Sequence, residues 1–242
     1  GDAVRTISFE IILTLVENIK NLLDKDKTNT LMTSIFKYAM EIEETIDDDW
    51  LTPKSTSLVN ESYITEEKLD EAMSLIDRLI LAVGADEALP IVASTITELL
   101  GHASESWKYQ YIAFIAVSKI CEHVDDISKI ESLLNVIFAQ LDNANPKIRY
   151  SVLMCIDSFC DNFEEAFTEV HTVVPKILEL HKNEKVLRVQ TQIFDTIQTF
   201  IEKASTSTVQ SFVQSFLDVI FTTFMKNDSE CPALLREAVL DT

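Results

Sequence analysis

The chain has 242 residues, an apolar fraction of 47%, only three glycines and a formal charge of −20. So few glycines exclude an all-β fold of this size, which needs many positive-φ turn residues, and no run of about 18 uncharged apolar residues offers a membrane span. A surface this acidic repels a phosphate backbone and attracts basic partners, so bare nucleic acid is excluded as a direct ligand.

From the N-terminus onward, apolar residues recur at helical spacing. The pattern predicts helix pairs at 2–19 with 28–45, 65–83 with 86–100, 104–122 with 126–142, 146–163 with 165–181, and 184–203 with 207–226. A sixth unit begins at Pro232 in "PALLREAVLDT". In 127–141 the stripe is Ile127, Ile130, Leu133, Leu134, Ile137, Phe138 and Leu141. Asn145–Pro146 reads as a helix start, because Asn suits the N-cap and Pro loses nothing at the first helical position. Sustained strand-like alternation is absent.

The monotony breaks at residues 41–62, "EIEETIDDDWLTPKSTSLVNES". Residues 41–71 hold eleven acids and two lysines, a net charge of −9. Further on, "SWKYQYIAFIAVSKI" from Ser106, "NPKIRYSVLMCIDSF" from Asn145 and "EKVLRVQTQIFDTI" from Glu184 align on Gln110, Arg149 and Arg188, which stand 39 residues apart each time. One further period back is Glu71. Arg5 takes the same position in the first pair, yet 66 residues separate it from Glu71, an excess of 66 − 39 = 27. A period near 40 residues built of two helices is the mark of HEAT or armadillo arrays. The fold class expected is therefore all-α, a right-handed α-solenoid of HEAT repeats with about five helix pairs plus the start of a sixth. Residues 1–242 form one continuous array with an acidic inserted loop at about 46–64. Neither end carries a polar-faced capping repeat, so the array is expected to be a piece of a longer one.

Insertions in solenoids gather on one face, often the binding face. The candidate partner-binding residues of the loop are Glu43, Glu44, Asp47, Asp48, Asp49 and Trp50. On the second helices and their leading turns they are Glu41, Asp86, Glu87, Glu98, Asp125, Asp126, Glu131, Glu164, Glu165 and Glu169. Acids in a helix's first turn are favoured by the helix dipole whether or not a ligand exists. Trp50 has two readings, a staple against the neighbouring repeat or a partner contact. Trp107, beside Tyr109 and Tyr111, reads as inter-repeat packing. Thr/Ser-rich acidic sequence buries little, so part of the loop is expected to be poorly ordered.

The four cysteines (Cys121, Cys155, Cys160, Cys231) form no C-x-x-C pair, and the four histidines (His102, His123, His171, His181) show no ligand spacing. No disulfide, metal or cofactor is expected, and Cys155 and Cys160 should face the core. No nucleophile–base arrangement or phosphate-cradling loop points to an enzyme.

Several stretches resemble the importin-β superfamily of nuclear transport receptors. "VRTISFEIILTLVEN" is similar to the helix before that family's acidic insertion, and "IDDDWLTP" to its acid-run-then-Trp loop. "LIDRLILAVG" with "ALPIV" resembles the repeat after the loop, and "SWKYQYIAFIAVSKICEH" with "NPKIRYSVLMCIDSF" the next two. Thr, Pro, Lys and Ser follow the Trp here, where the family carries more acids. The resemblance implies a superhelix with outer first helices and an inner, concave face of second helices. It implies basic cargo proteins with nuclear localisation signals on that face, their release by Ran-GTP, Phe-Gly nucleoporins between outer helices, and passage between cytoplasm and nucleus. It also implies that the acidic insertion touches Ran and cargo. The alternative is a structural HEAT-repeat scaffold, such as a phosphatase scaffold subunit, with no transport role.

Overall fold

The computed structural model describes residues 2–52, 66–163 and 172–225. Among them every regular element is helical: α1 (Asp2–Asn18), α2 (Lys25–Ala39), α3 (Asp48–Leu51), α4 (Glu67–Val83), α5 (Ala85–Gly101), α6 (Trp107–Ile120), α7 (Glu131–Phe138), α8 (Pro146–Asn162), α9 (Val173–Asn183), α10 (Leu187–Lys203) and α11 (Thr206–Phe224). Two 3-10 turns, Cys121–His123 and Ile127–Lys129, separate α6 from α7.

The boundaries follow local chemistry. Asp24, Ser106, Asn145 and Ser205 each accept a hydrogen bond from a backbone N–H of the following first turn, at α2, α6, α8 and α11. Each satisfies one of the donors that a helix start leaves without a partner. Pro146 opens α8. Gly84 alone joins α4 to α5, at φ 97° and ψ 142°. That region is nearly closed to residues with a Cβ.

The chain forms two compact units, residues 1–44 with 65–125 and residues 45–64 with 126–242. In the first, α1 and α2 pack on α4, and α5 packs on α2, α4 and α6. Leu13, Met32, Ile35, Leu75, Ile76, Leu79, Ile80, Ile96 and Phe114 fill its core. In the second, α8 lies along α10, and α9 packs on α10 and α11. Val152, Ile156, Phe159, Val189, Ile193, Phe194 and Ile197 are buried there.

Three expected boundaries shift. The helix expected at 28–45 starts at its Asp24 cap and ends at Ala39, after which Glu41 turns back on Tyr38 and Ile42 is buried. The helix expected at 126–142 is only Glu131–Phe138, because Asp126 Oδ1 accepts from Ser128 N and winds a 3-10 turn first. Within the expected loop at 46–64, residues 48–51 form a helical turn. Residues 53–64, and with them the loop's expected disorder, lie outside the described residues, as do Glu164, Glu165, Glu169, His171, Cys231 and the sixth unit. Cys121, Cys155 and Cys160 are all buried, as expected for core thiols.

Candidate functional site

The acidic segment is not a bare tether. In the first unit, Glu41 is held by Arg5, whose Nη2 donates to Oε2 at 2.8 Å, and by Lys68 Nζ at 3.1 Å. These hydrogen bonds keep its carboxyl below the usual carboxylate range. Lys108 Nζ donates to Ile42 O at 2.7 Å and meets Glu44 Oε2 at 3.0 Å, which holds Glu44 low as well. Ser106 Oγ and Trp107 Nε1 donate to Glu44 Oε1 and Glu44 O at 3.2 and 3.3 Å. Trp107 also packs on Tyr111, with ring centroids 5.6 Å apart.

In the second unit, Asp47 Oδ1 accepts from Asp49 N and heads the short turn α3. Trp50 is 6% exposed. Tyr150 meets its ring edge-on at 5.6 Å, and Lys147 and Arg188 lie over the indole at 5.2 and 5.1 Å. Arg188 Nε donates to Trp50 O at 2.9 Å. Of the two readings of Trp50, the staple matches this burial. Glu43, Asp47, Asp48 and Asp49 remain exposed. Within the second unit, half-buried Ile46 and buried Trp50 flank the exposed Asp47, Asp48 and Asp49.

The second-helix candidates are exposed where they are described. Asp86 and Glu87 sit in the first turn of α5, and Glu131 in that of α7, where the dipole alone favours an acid. Asp126 is occupied in capping its 3-10 turn, and Asp125 precedes it. Glu98 lies near the C-terminal end of α5, where the dipole disfavours it.

Sequence reasoning missed a groove of about 580 Å³ in the second unit. Phe138, Leu141 and Leu180 supply its apolar wall, and Asp142, Asn143, Lys176, Glu179 and Asn183 its polar rim. Lys182 donates to Glu179 at 2.9 Å and keeps that carboxyl below its usual range. Arg149 closes the groove against Glu184 with a two-pronged ion pair at 2.7 and 2.9 Å. The repeat alignment did not mark the groove: Asn143 and Asn183 stand 183 − 143 = 40 residues apart, one residue out of register with the 39-residue period.

One cluster among the described residues has metal-ligand chemistry. His123 Nε2 lies 2.6 Å from Asp77 Oδ1 and 3.8 Å from Glu122 Oε1. The imidazole–carboxylate hydrogen bond accounts for this arrangement without an ion. It joins α4 to the turn after α6, far apart in sequence, so ligand spacing could not reveal it.

No protein-family model matches the chain. Importin subunit beta-3 of Saccharomyces cerevisiae is 21% identical over 231 residues, which cover 92% of this chain and 21% of that protein. Crystal structures of Kap121p bound to Pho4p and bound to RanGTP each align with 98% of the chain and 23% of Kap121p, at a TM-score of 0.82 and 20% identity. The chain thus spans about a fifth of the length of these relatives. The fold class is an all-α helical solenoid, and the resemblance read from the sequence motifs recurs in both sequence and fold.

Proposed function

We propose that this chain is a segment of a nuclear transport receptor of the importin-β superfamily, and that it supplies surface for basic protein partners. In this reading residues 1–242 are one continuous stretch of HEAT repeats carrying an acidic insertion at about 46–64. The fold match at a TM-score of 0.82 over 98% of the chain carries the reading. Two features support it. In the second unit, exposed Asp47, Asp48 and Asp49 form an anionic turn whose backbone is anchored at Trp50. The groove between α7 and α9 offers ionised Glu179, with Asp142 and two asparagine amides beside an apolar wall. Such a wall suits the aliphatic stems of lysine or arginine, the carboxylates suit their heads, and asparagine amides can both donate to and accept from an extended backbone.

The role is binding, not catalysis. Release by Ran-GTP, contact with Phe-Gly nucleoporins and passage between cytoplasm and nucleus belong to the same proposal. Kap121p has been crystallised with Pho4p, with Nup53p and with RanGTP. The test is a pull-down with the full-length receptor on a basic localisation-signal peptide, with and without Ran-GTP. Retention that Ran-GTP abolishes is the expected result. Indifference to both ligands would favour a structural scaffold instead.

A further inference from the structure

The turn Asp48–Leu51 cannot hold itself. One helical turn fixes several residues for very few hydrogen bonds and is unfavourable alone. Its support comes from α8 and α10. Tyr150 meets the Trp50 indole edge-on, while Lys147 and Arg188 face the ring. Arg188 Nε takes up the Trp50 carbonyl, one of those a helix end leaves without an intrahelical partner. Lys147 is only 4% exposed. Burial, and then the neighbouring Arg188, pull its pKa down to about 8, against a smaller opposing pull from Asp47. Two cations are thus brought together in a protein of charge −20, around one aromatic ring.

We infer that Lys147, Tyr150 and Arg188 are positioning residues for the acidic segment. With Trp50 seated on them, Asp48 and Asp49 stand at fixed, exposed places, and a basic partner meets carboxylates that are already ordered. The inference rests on the partner reading of the acidic segment given above. It has an unusual sign. Removing a cation takes the protein from −20 to −21, and plain Coulomb attraction then tightens a cationic ligand. Loss of positioning weakens it, because the cost of ordering the segment moves into the binding step.

The experiment titrates fluorescein-labelled octalysine with the full chain, followed by anisotropy at low and at high salt. Arg188→Gln, Lys147→Met and Trp50→Ala are each expected to bind about three- to tenfold more weakly than wild type at low salt, although none removes an acid. The double change Asp48→Asn with Asp49→Asn is also expected to weaken binding, with the difference lost at high salt. In a Trp107→Phe background Trp50 is the single tryptophan of the chain, and acrylamide quenching should show it shielded in wild type and accessible in Arg188→Gln. Trp50→Ala leaves α8 and α10 untouched and keeps the test valid if a helix variant misfolds. Equal or tighter binding by Trp50→Ala and Arg188→Gln, with weaker binding by the double Asn variant, overturns the inference and leaves the partner reading standing. Unchanged binding by the double Asn variant overturns the partner reading, and the inference with it.

Discussion

Arginine at one position of the repeat serves whichever connecting segment passes over it. Arg5 holds Glu41, Arg149 holds Glu184 together with the carbonyls of Asn143 and Ala144, and Arg188 holds the carbonyl of Trp50. The second case has the largest stake. Glu184 has a side chain 2% exposed, and its Oε1 also accepts from Lys185 N and Val186 N at the start of α10. Arg149→Met strands a buried carboxylate and is expected to cost about 3 kcal/mol or more in urea unfolding. Glu184→Gln keeps an acceptor for both N–H groups and should cost less. The double variant should cost less than the sum of the two, since the partners share one interaction. Lys147 offers a pH test. Its pKa falls from 10.5 to about 8 on folding, so between those values the unfolded chain binds more protons and stability rises with pH. Cys121, Cys160 and Tyr38, raised chiefly by burial, drive stability the other way at high pH. The readout is therefore a difference. The urea midpoint of wild type should gain on that of Lys147→Met from pH 8 to pH 10, and a constant gap between them would contradict the assignment.

At the scale of elements, helices with long apolar stripes and a polar cap were legible in the sequence. The expected 146–163 is found as Pro146–Asn162, with Asn145 capping it, and 184–203 as Leu187–Lys203. The turn at 48–51 was not legible, because what stabilises it is remote: Arg188 lies 138 residues from Trp50 in sequence. The start of α7 was missed for the opposite reason, since the Asp126 side chain competes locally with helix and wins. The groove's polar rim looked like ordinary helix ends, and the 39-residue register did not mark it. The joint between α4 and α5 gives a direct test of backbone strain. Among the described residues, no heavy atom beyond Gly84's own chain neighbours lies within 4 Å of a Cβ placed there, so Gly84→Ala meets no clash with them and its cost is conformational. That cost is expected to be about 1–3 kcal/mol, read as a lower urea midpoint with an unchanged denaturant slope. A loss below a few tenths would mean that the joint relaxes to an ordinary conformation.

For the molecule as a whole, the relevant quantity is the field of its 40 acids against 20 Lys and Arg. Exposed carboxylates contribute about 0.2–1 kcal/mol each in direct pairs, too little for three of them to decide the affinity of a large partner. Their effect is expected in the rate of encounter, where a summed potential steers a basic molecule before contact. Asp47, Asp48 and Asp49 suit this role because they are exposed while the backbone beside them is held by Trp50. Changing all three to Asn removes three negative charges and, with them, part of the local field, yet leaves the Trp50 seat in place. On the function proposed above, stopped-flow association of the full-length protein with a basic cargo protein should then be slower for the triple variant at low salt. Raising the salt should slow wild type more than the variant until the two coincide, because screening sets in beyond about 8 Å at physiological ionic strength. Dissociation rates should differ little. Equal on-rates at low salt would reduce these acids to solubility alone. A difference carried wholly by the off-rate would instead mean that the three carboxylates act only after contact and do not steer the encounter.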